Sequence, residues 1–284
     1  MDKYNPKIVF FGNTKYSVID AEALHKSFGL SAVVTIPDRI GQRRQITSSP
    51  AKIFAESQKI PVIEADKLTP EIIKDIKEYQ PDFLVVAAYG LILPKSLLAV
   101  PSYSPLNVHH SLLPKYRGPS PAPAAILNDE KESGVSVIIM TDRVDAGDIL
   151  KQIRYDIKPD ETTDSLLTRL NILGSQAVIE VVERFIEKKI NPEKQDETKA
   201  TYTKKLSKED GLLDLNADPY TNWLKFRAFG FWPGSFYFAN HSGKKIRVKI
   251  TDAKYESDAF QILKVLPEGK NEMSYKDFKR GLRN

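Results

Sequence analysis

The sequence predicts an α/β protein with a doubly wound, mostly parallel sheet, followed by a small β domain. Two observations predict the sheet: short apolar runs alternate with amphipathic ones through the first 190 residues, and most of these runs are apolar throughout. A third observation predicts the second domain, because after residue 211 the pattern changes to one helix and several consecutive strand-like runs. A chain of 284 residues has room for two domains.

Six apolar runs are predicted as strands of the sheet. They lie at 7–12, 31–37, 61–64, 82–88, 105–109 and 134–140. The segments between them have helical character and lie at 16–27, 50–58, 69–79, 94–99 and 119–128. Thr69 followed by Pro70 indicates how one helix begins, since Thr is a favoured N-cap and Pro suits the first helical position. This alternation predicts parallel strands with helices on both faces.

The second half of the chain is predicted to leave the sheet through a long helix. An amphipathic pattern covers 161–188, and the polar segment 191–211 that follows has no hydrophobic period. We interpret 191–211 as a linker between a first domain, 1–190, and a second, 212–284. The second domain is predicted to contain a helix and then strands, at 218–229, 235–239, 244–255 and 259–265.

Composition and charge exclude several classes of protein. The chain has no cysteine, which excludes disulfides, thiol catalysis and thiolate metal sites. It has no run of 18 apolar residues, and its start lacks the layout of a secretory signal, so we expect a cytoplasmic protein without a membrane span. The first strand-to-helix turn has one glycine rather than the three of a dinucleotide site, which disfavours NAD binding.

The positive charge of the chain is concentrated at its end. Residues 241–284 hold 11 Lys and Arg against 6 Asp and Glu, which accounts for the whole net charge of +5. A basic end on a neutral body suggests a polyanionic partner. A solvated, lysine-rich face of a small domain is the alternative interpretation.

Two adjacent histidines stand near the end of the predicted strand that begins at residue 105. In a strand, Asn107 and His109 point to one face, whereas Val108 and His110 point to the other. An amide can hydrogen-bond an oxygen that gains negative charge, and an imidazole can exchange a proton near neutral pH. Asn107 and His109 together are therefore candidates for catalysis, although a single histidine on a strand is more often structural.

Three aspartates follow the next predicted strand, at Asp142, Asp145 and Asp148. A carboxylate that reaches the imidazole would fix its orientation and favour its charged form. The residues alone do not decide which aspartate does so, and an aspartate in a turn is often only a cap. Their spacing does not match a calcium-binding loop.

The stretch NVHHSLLPKYRG, followed by VDAGD, resembles the signature of the folate-dependent formyltransferase family. Further stretches resemble the branch of this family that formylates methionyl-tRNA, in the same order along the chain: TIPDRIGQRR, SSPAKIFA, AAYGLILPK, QDETKATYTKKLSKEDG and FRAFGFWPGSF. The resemblance implies a Rossmann-like formyltransferase fold for the first domain. It implies a small β-barrel of the oligonucleotide-binding type for the second.

The resemblance also implies the residues of the site. It assigns catalysis to Asn107, His109 and Asp145, with 10-formyltetrahydrofolate as the formyl donor and no metal. The donor would bind two turns that comprise Tyr89, Gly90, Leu91, Ile92, Leu93, Ser111, Leu112, Leu113 and Pro114. At position 110 relatives usually carry a small residue, so His110 departs from the family and is expected to be structural or to lie at the pocket edge.

The implied partner is initiator methionyl-tRNA, and the implied role is translation initiation. The residues expected to bind the tRNA are all basic and lie in the long loop 37–50 and in the second domain: Arg39, Arg43, Arg44, Lys244, Lys245 and Arg247. The second domain lacks several strands' worth of chain relative to the family. Its barrel is therefore expected to be either incomplete or closed with fewer strands.

Two other functions remain open from the sequence. A sugar-nucleotide N-formyltransferase would share the catalytic triplet and the folate, and a polar residue that relatives carry near Ala124 is missing here. A non-catalytic RNA-binding protein on the same scaffold is the second alternative. The arginine-rich loop favours a tRNA substrate, and the intact triplet favours an enzyme. We expect a monomer.

Overall fold

The computed structural model describes residues 4–40, 46–241 and 243–282. Its contacts divide the chain into two compact units. The first consists of Met1–Pro119, Ser133–Asp156 and Leu167–Tyr202, and the second of Ser120–Glu132, Ile157–Leu166 and Thr203–Asn284. The domains predicted from the sequence are continuous segments of the chain. The two units are discontinuous, because the chain enters the second unit twice before residue 203.

The elements up to residue 186 agree closely with the alternating pattern. They are β1 (Ile8–Phe11), α1 (Lys15–Phe28), β2 (Ala32–Thr35), β3 (Arg39–Ile40), β4 (Ile46–Thr47), α2 (Pro50–Ser57), β5 (Val62–Glu64), α3 (Pro70–Glu78), β6 (Phe83–Val86), α4 (Lys95–Leu98), β7 (Ser104–His109), α5 (Pro121–Leu127), β8 (Glu132–Ile139), β9 (Ile149–Asp156) and α6 (Thr163–Ile186). The six predicted sheet strands are all present. The short pair β3 and β4 and the strand β9 were not predicted.

Seven strands form the sheet of the first unit, in the order β5-β2-β1-β6-β7-β8-β9. The pairs among β5, β2, β1, β6 and β7 are parallel, and β8 runs antiparallel to β7. This confirms the predicted α/β fold with a mostly parallel sheet. The antiparallel β8 is the exception. Because of its direction, the loop after β8 begins near the start of β7 rather than near its end.

Both faces of this sheet are covered by apolar side chains. Along β1, Ile8 and Phe10 join one buried cluster and Val9 and Phe11 join another, as the alternation of a strand requires. Helices α1, α2 and α6 contribute to the first cluster, and α3 and α4 contribute to the second. The continuous apolar runs of the sequence therefore reflect strands that are buried on both sides.

Besides α5, the second unit contains the helices and strands that follow residue 211. They are α7 (Pro219–Phe229), β10 (Phe236–His241), β11 (Lys244–Glu256), β12 (Ala259–Pro267), β13 (Met273–Ser274) and α8 (Tyr275–Gly281). Helix α7 begins where Asp218 accepts a hydrogen bond from the Thr221 amide, at 2.8 Å, with Pro219 in the first turn. The last strand and α8 were not predicted.

The second unit contains a small antiparallel sheet, in the order β10-β11-β12-β13. Its core consists of side chains such as Tyr237, Val248, Val265 and Phe278. Within the described part of this unit, β10 and β13 are the two ends of the sheet and do not pair with each other. Of the two forms expected for a shortened barrel, the structure therefore has the incomplete one. No helix among the described residues has the length and hydrophobicity to cross a membrane.

Candidate active site

Strand β7 presents Asn107 and His109 on one face of the sheet. Leu106 and Val108 point to the opposite face and are buried in the cluster that α1, α2 and α6 cover. His109 is 6% exposed, and Asn107 is partly buried. The alternation of the strand thus directs an amide and an imidazole to the same side, as the sequence predicts.

Asp145 lies between these two side chains. Its Oδ1 accepts a hydrogen bond from Asn107 Nδ2 at 3.1 Å, and its Oδ2 is 3.5 Å from His109 Nδ1. The same Oδ2 accepts a hydrogen bond from the backbone amide of Gly118 at 2.7 Å. Of the three aspartates in this loop, Asp145 is the one that contacts the pair on β7. Asp142 instead forms an exposed ion pair with Lys95 at 2.7 Å.

The loop that carries Asp145 reaches the site by folding back over β7. Ile139, the last residue of β8, pairs with Leu106, so β8 ends opposite a residue three positions before His109 and the loop has to fold back to reach it. The backbone of Asp145 has φ +48°, in the left-handed region that few side chains favour. Gly147 follows, and a Cβ there would collide with the carbonyl oxygen of Ile139. The glycine of the VDAGD stretch is therefore required by this close approach.

Both ring nitrogens of His109 face oxygen atoms. Nδ1 faces Asp145, and Nε2 lies 3.0 Å from the carbonyl oxygen of Tyr116. Either nitrogen can donate a hydrogen bond to its oxygen neighbour when it carries a proton. Tyr116 itself has φ +61°, in the left-handed region.

His110 occupies a different environment from His109. It is buried, its Nε2 has no hydrogen-bond partner among the described residues, and Asn171 of α6 is its polar neighbour. Burial, and then the nearby His109, lower the pKa of His110 to about 4, while Asn171 acts in the opposite direction. His110 is therefore neutral near pH 7.

The first turn expected to bind the donor follows β6. Tyr89 is buried against Phe11, with ring centroids 5.3 Å apart, and burial raises the pKa of its hydroxyl to about 12. Leu93 is also buried, and Leu91 packs against the same core cluster, whereas Ile92 is 80% exposed. Gly90 has φ +93°. Tyr89 and Leu93 therefore anchor the turn, and the residues between them remain available to a ligand.

The second turn expected to bind the donor, Ser111 to Pro114, is held from the sheet side. Ser136 of β8 donates a hydrogen bond to the Ser111 carbonyl at 2.6 Å and accepts one from the Leu113 amide at 3.1 Å. Leu112 packs so closely on Gly134 that a side chain at residue 134 would displace it. These contacts fix the turn at Ser111 to Pro114. The chain continues from it to Tyr116, which contacts His109, and to Gly118, which contacts Asp145.

Three polar residues at the site were not predicted from the sequence. Asn13, after β1, donates to the carbonyl oxygen of Tyr89 and accepts from the Ile36 amide at 2.9 Å, and thereby joins the ends of three strands. The other two are Arg117 and Gln195, which lie in and beside the loops around Asp145. The stretch that begins with Gln195 was among those that resemble the family, but the resemblance gave this residue no role.

The basic residues expected to bind tRNA fall in three places. Arg39 is exposed on β3, and Arg43 and Arg44 lie outside the described residues. In the second unit, Lys244 and Lys245 are exposed on β11 and Arg247 is partly buried. Lys245 Nζ lies 4.4 Å from the ring centroid of Phe238, and the Arg247 guanidinium lies 3.8 Å from that of Phe236. Basic and aromatic side chains therefore share one face of β10 and β11.

Metal-binding geometry is not found in the described ranges, 4–40, 46–241 and 243–282. No three carboxylate or imidazole side chains come together there in a way that could hold an ion. The groups that the site does offer are an amide, an imidazole and a carboxylate in mutual contact. Such a set can stabilise a developing oxyanion and exchange a proton.

The sequence and the fold were compared with known proteins. The model of the formyl transferase family matches residues 7–182. The methionyl-tRNA formyltransferase of Geotalea uraniireducens is 37% identical over 267 residues, which is 93% of this chain and 85% of that protein. That of Dictyoglomus turgidum is 35% identical and covers 98% of this chain and 96% of its own length.

Among solved structures, the methionyl-tRNA formyltransferase from Clostridium thermocellum has a TM-score of 0.63 at 17% identity, over 92% of this chain and 98% of that one. The N-formyltransferase from Helicobacter canadensis, solved with folinic acid and dTDP-3-aminofucose, has the same TM-score at 20% identity, over 88% and 89% of the two chains. At these identities the structural similarity shows the fold alone. The sequence matches show more: the chain belongs to the formyl transferase family, in its methionyl-tRNA formyltransferase branch.

Proposed function

We propose that this protein transfers the formyl group of 10-formyltetrahydrofolate to the amino group of initiator methionyl-tRNA. The observation that carries the proposal is the contact of Asp145 with both Asn107 and His109, at 3.1 and 3.5 Å. Membership in the methionyl-tRNA branch, at 37% identity over most of the chain, supports this acceptor. We further propose that the protein acts as a monomer in the cytoplasm, with catalysis in residues 1–190 and a basic domain over 212–284. The segment 191–211 connects them, and its first part, up to Tyr202, belongs to the first compact unit.

The chemical step begins with attack of the acceptor amine on the formyl carbon. The carbon becomes tetrahedral and its oxygen gains negative charge, which the Asn107 amide and the protonated His109 ring stabilise. Each well-placed donor of this kind contributes roughly 10²–10³ in rate. Because His109 Nε2 is bonded to the Tyr116 carbonyl at 3.0 Å, the oxyanion must replace that acceptor to engage the ring.

Asp145 is assigned the role of helping to transfer the proton that the amine loses. Its carboxylate faces His109 Nδ1, so it holds the ring orientation and balances the positive charge of the imidazolium. The bond between the formyl carbon and the folate nitrogen then breaks, the proton passes to that nitrogen, and formylated acceptor and tetrahydrofolate are released. Proton transfer by a positioned group contributes about 10²–10⁴ in rate.

The donor is proposed to bind against the turn at Tyr89 to Leu93 and the turn at Ser111 to Pro114. Both turns are anchored by buried side chains and carry backbone groups beside β7, next to Asn107 and His109. The H. canadensis enzyme was solved with folinic acid, which supports a folate as the ligand of this fold.

A sugar-nucleotide acceptor is the second candidate. The H. canadensis N-formyltransferase was solved with dTDP-3-aminofucose, and its TM-score equals that of the C. thermocellum tRNA enzyme. The basic residues favour tRNA, because guanidinium and ammonium groups on Arg39, Arg43, Arg44, Lys244, Lys245 and Arg247 match a phosphate backbone better than one diphosphate.

One assay distinguishes these functions. The full chain is incubated with formyl-labelled 10-formyltetrahydrofolate and either methionyl-tRNA or dTDP-3-aminofucose, and label on each acceptor is counted. We expect transfer to methionyl-tRNA with a kcat/KM at least 100-fold above that for the sugar nucleotide. Transfer to the sugar alone would overturn the proposed acceptor. Transfer to neither, with tRNA bound in a filter assay, would indicate a binding protein.

A further inference from the structure

Gln195 contacts the backbone on both sides of the turn that carries the catalytic carboxylate. Its Nε2 donates hydrogen bonds to the carbonyl oxygens of Asp145, at 2.8 Å, and of Gly147, at 2.7 Å. A primary amide has two N–H groups, so both are used on this turn. Gln195 lies 50 residues further along the chain, in the segment 191–211 that is predicted to be a linker.

The turn needs such support because its backbone conformation is unfavourable. Asp145 has φ +48°, in the left-handed region, which is uncommon for residues with a Cβ although aspartate adopts it more readily than most. This conformation directs the carboxylate towards Asn107, His109 and the Gly118 amide. If the turn relaxed, the carboxylate would move away from the imidazole without any change in the strand that carries His109.

The orientation of the Gln195 amide is fixed from its other side. Gln195 Oε1 accepts hydrogen bonds from Arg117 Nε at 3.1 Å and Nη2 at 2.8 Å. Arg117 has no exposed surface, and its guanidinium forms two hydrogen bonds with the Glu197 carboxylate, at 3.0 and 3.1 Å. Since a guanidinium only donates, it must meet the oxygen of the amide, which leaves the nitrogen for the Asp145 turn.

We propose that Gln195 is a positioning residue that holds the Asp145 carboxylate against Asn107 and His109, and that the buried Arg117 guanidinium, paired with the exposed Glu197, sets the direction of its amide. The inference rests on the proposed function, since it assigns to Gln195 an effect on the same formyl transfer. Gln195 acts through Asp145 and touches no reacting atom. The segment 195–197 is therefore part of the catalytic unit rather than a passive connection.

The first test is kinetic. Gln195→Ala is expected to lower kcat for formyl transfer about 10- to 100-fold, the size typical of groups that orient a functional ligand, with KM for folate and tRNA changed less than twofold. Gln195→Glu keeps the size but offers no N–H to the two carbonyl oxygens, so it is expected to lose at least as much. Lys194→Ala, which removes the exposed neighbouring side chain, is the matched control and should keep the rate.

A double variant separates positioning from general stability. In the Asp145→Asn background, adding Gln195→Ala should change the rate less than twofold, because the group through which Gln195 acts is already altered. If the two losses multiply, Gln195 acts elsewhere and the proposal is wrong.

The inference can also be tested without measuring formyl transfer, through the backbone amide proton of Gly118. The Gly118 amide donates to Asp145 Oδ2 at 2.7 Å, so its proton shift and exchange rate report the carboxylate position. We expect Gln195→Ala to move this shift upfield and to speed exchange at least 10-fold, with Lys194→Ala unchanged. An unchanged Gly118 amide in Gln195→Ala would overturn the inference. A wild type without any formyl transfer would instead overturn the proposed function.

Discussion

The adjacent side chains of His109, the last residue of β7, and His110, just after it, lie in opposite surroundings. His109 faces Asp145 and the Tyr116 carbonyl, so both its nitrogens have oxygen neighbours. His110 is turned towards α6, where burial lowers its pKa to about 4. The difference follows from the two-residue period of the strand, which the sequence already shows. The identity of the groups that surround each ring comes from distant segments and could not be read from the sequence.

This difference predicts unequal effects of two alanine substitutions. His109→Ala removes an oxyanion donor and a proton carrier, so we expect kcat to fall at least 10³-fold. His110→Ala removes a buried neutral ring and should leave kcat within about threefold, at the cost of stability. Rates are measured with saturating methionyl-tRNA, and circular dichroism confirms that both variants fold. Equal loss of rate in both would contradict the assignment of faces.

The buried His110 also predicts how stability depends on pH. Its pKa is about 4 in the folded protein and 6.5 when exposed, so the unfolded chain binds an extra proton between these values. The stabilisation is present above pH 6.5 and is lost as pH falls towards 4, by roughly 3 kcal/mol in all. Asp20 has the opposite sign, because burial raises its pKa and its contribution is lost as pH rises.

The measurement compares urea unfolding of the wild type and His110→Gln at several pH values from 7.5 to 4. Asp20 contributes equally to both proteins, so the difference isolates His110. We expect the free energy of unfolding of the variant to fall less steeply over this range, by about one proton's slope. Parallel curves would show that His110 is not buried in its neutral form.

At the scale of elements, the features found from the sequence are those with a strong hydrophobic period. The buried strands β1 and β6 were predicted because all their residues are apolar, and β2 is apolar up to its last residue. In β7 the apolar Leu106 and Val108 alternate with polar residues. Strand β9 was missed because it is at the end of the sheet, where only alternate side chains are buried and polar residues such as Lys151 and Gln152 interrupt the run. The antiparallel direction of β8 leaves no local mark in the sequence.

The segment 191–211 shows why polarity alone misleads about order. Its contacts to the first unit are hydrogen bonds rather than apolar packing: Glu193 pairs with Ile149, and Tyr202 bridges to Arg117. A segment that is ordered by polar contacts has no hydrophobic period, so it resembles a solvated linker in sequence. The resemblance assigned a catalytic role to Asp145, which lies against Asn107 and His109 in the structure, but it assigned no role to the residues that hold Asp145.

The turn that carries Asp145 yields a prediction for this element. Gly147→Ala would place a Cβ against the carbonyl oxygen of Ile139, at the end of β8, and neither backbone segment can move freely. We expect a loss of at least about 2 kcal/mol, which lowers Tm by several degrees in a domain of this size. Activity should fall further, because the collision shifts Asp145. Differential scanning fluorimetry measures the Tm.

Gly281→Ala is the matched control for this prediction. Its added Cβ meets no atom within 4 Å, and the residue ends α8 with ordinary helical backbone. We expect its Tm to remain within about 1 °C of the wild type, since alanine is a good helix former. A Gly147→Ala protein with unchanged Tm would show that the 145–147 turn adapts without cost.

At the scale of the molecule, charge and aromatic groups define a surface of the second unit. Phe236 and Phe238 of β10 pair across the sheet with Lys249 and Arg247 of β11. The opposite face of the same strands carries Tyr237, Val248 and Ile250 into the core. Lys245, Arg247 and Lys249 contribute to the basic excess of residues 241–284 and lie on the face of the sheet that does not form this core, which favours a polyanion over a second apolar interface.

The dependence of tRNA use on salt tests this surface. Each phosphate contact releases counterions, so the logarithm of tRNA affinity falls with the logarithm of salt concentration by about one unit per contact. We expect the Lys245→Ala and Arg247→Ala double variant to reduce this slope by about two and to leave KM for the folate unchanged, because the donor turns lie in the first unit. Lys74→Ala on α3, which removes an exposed charge from that unit, is the control and should keep the slope. A double variant with the wild-type slope would place the tRNA phosphates elsewhere, and the loop around Arg43 and Arg44 would then be the basic element left to bind them.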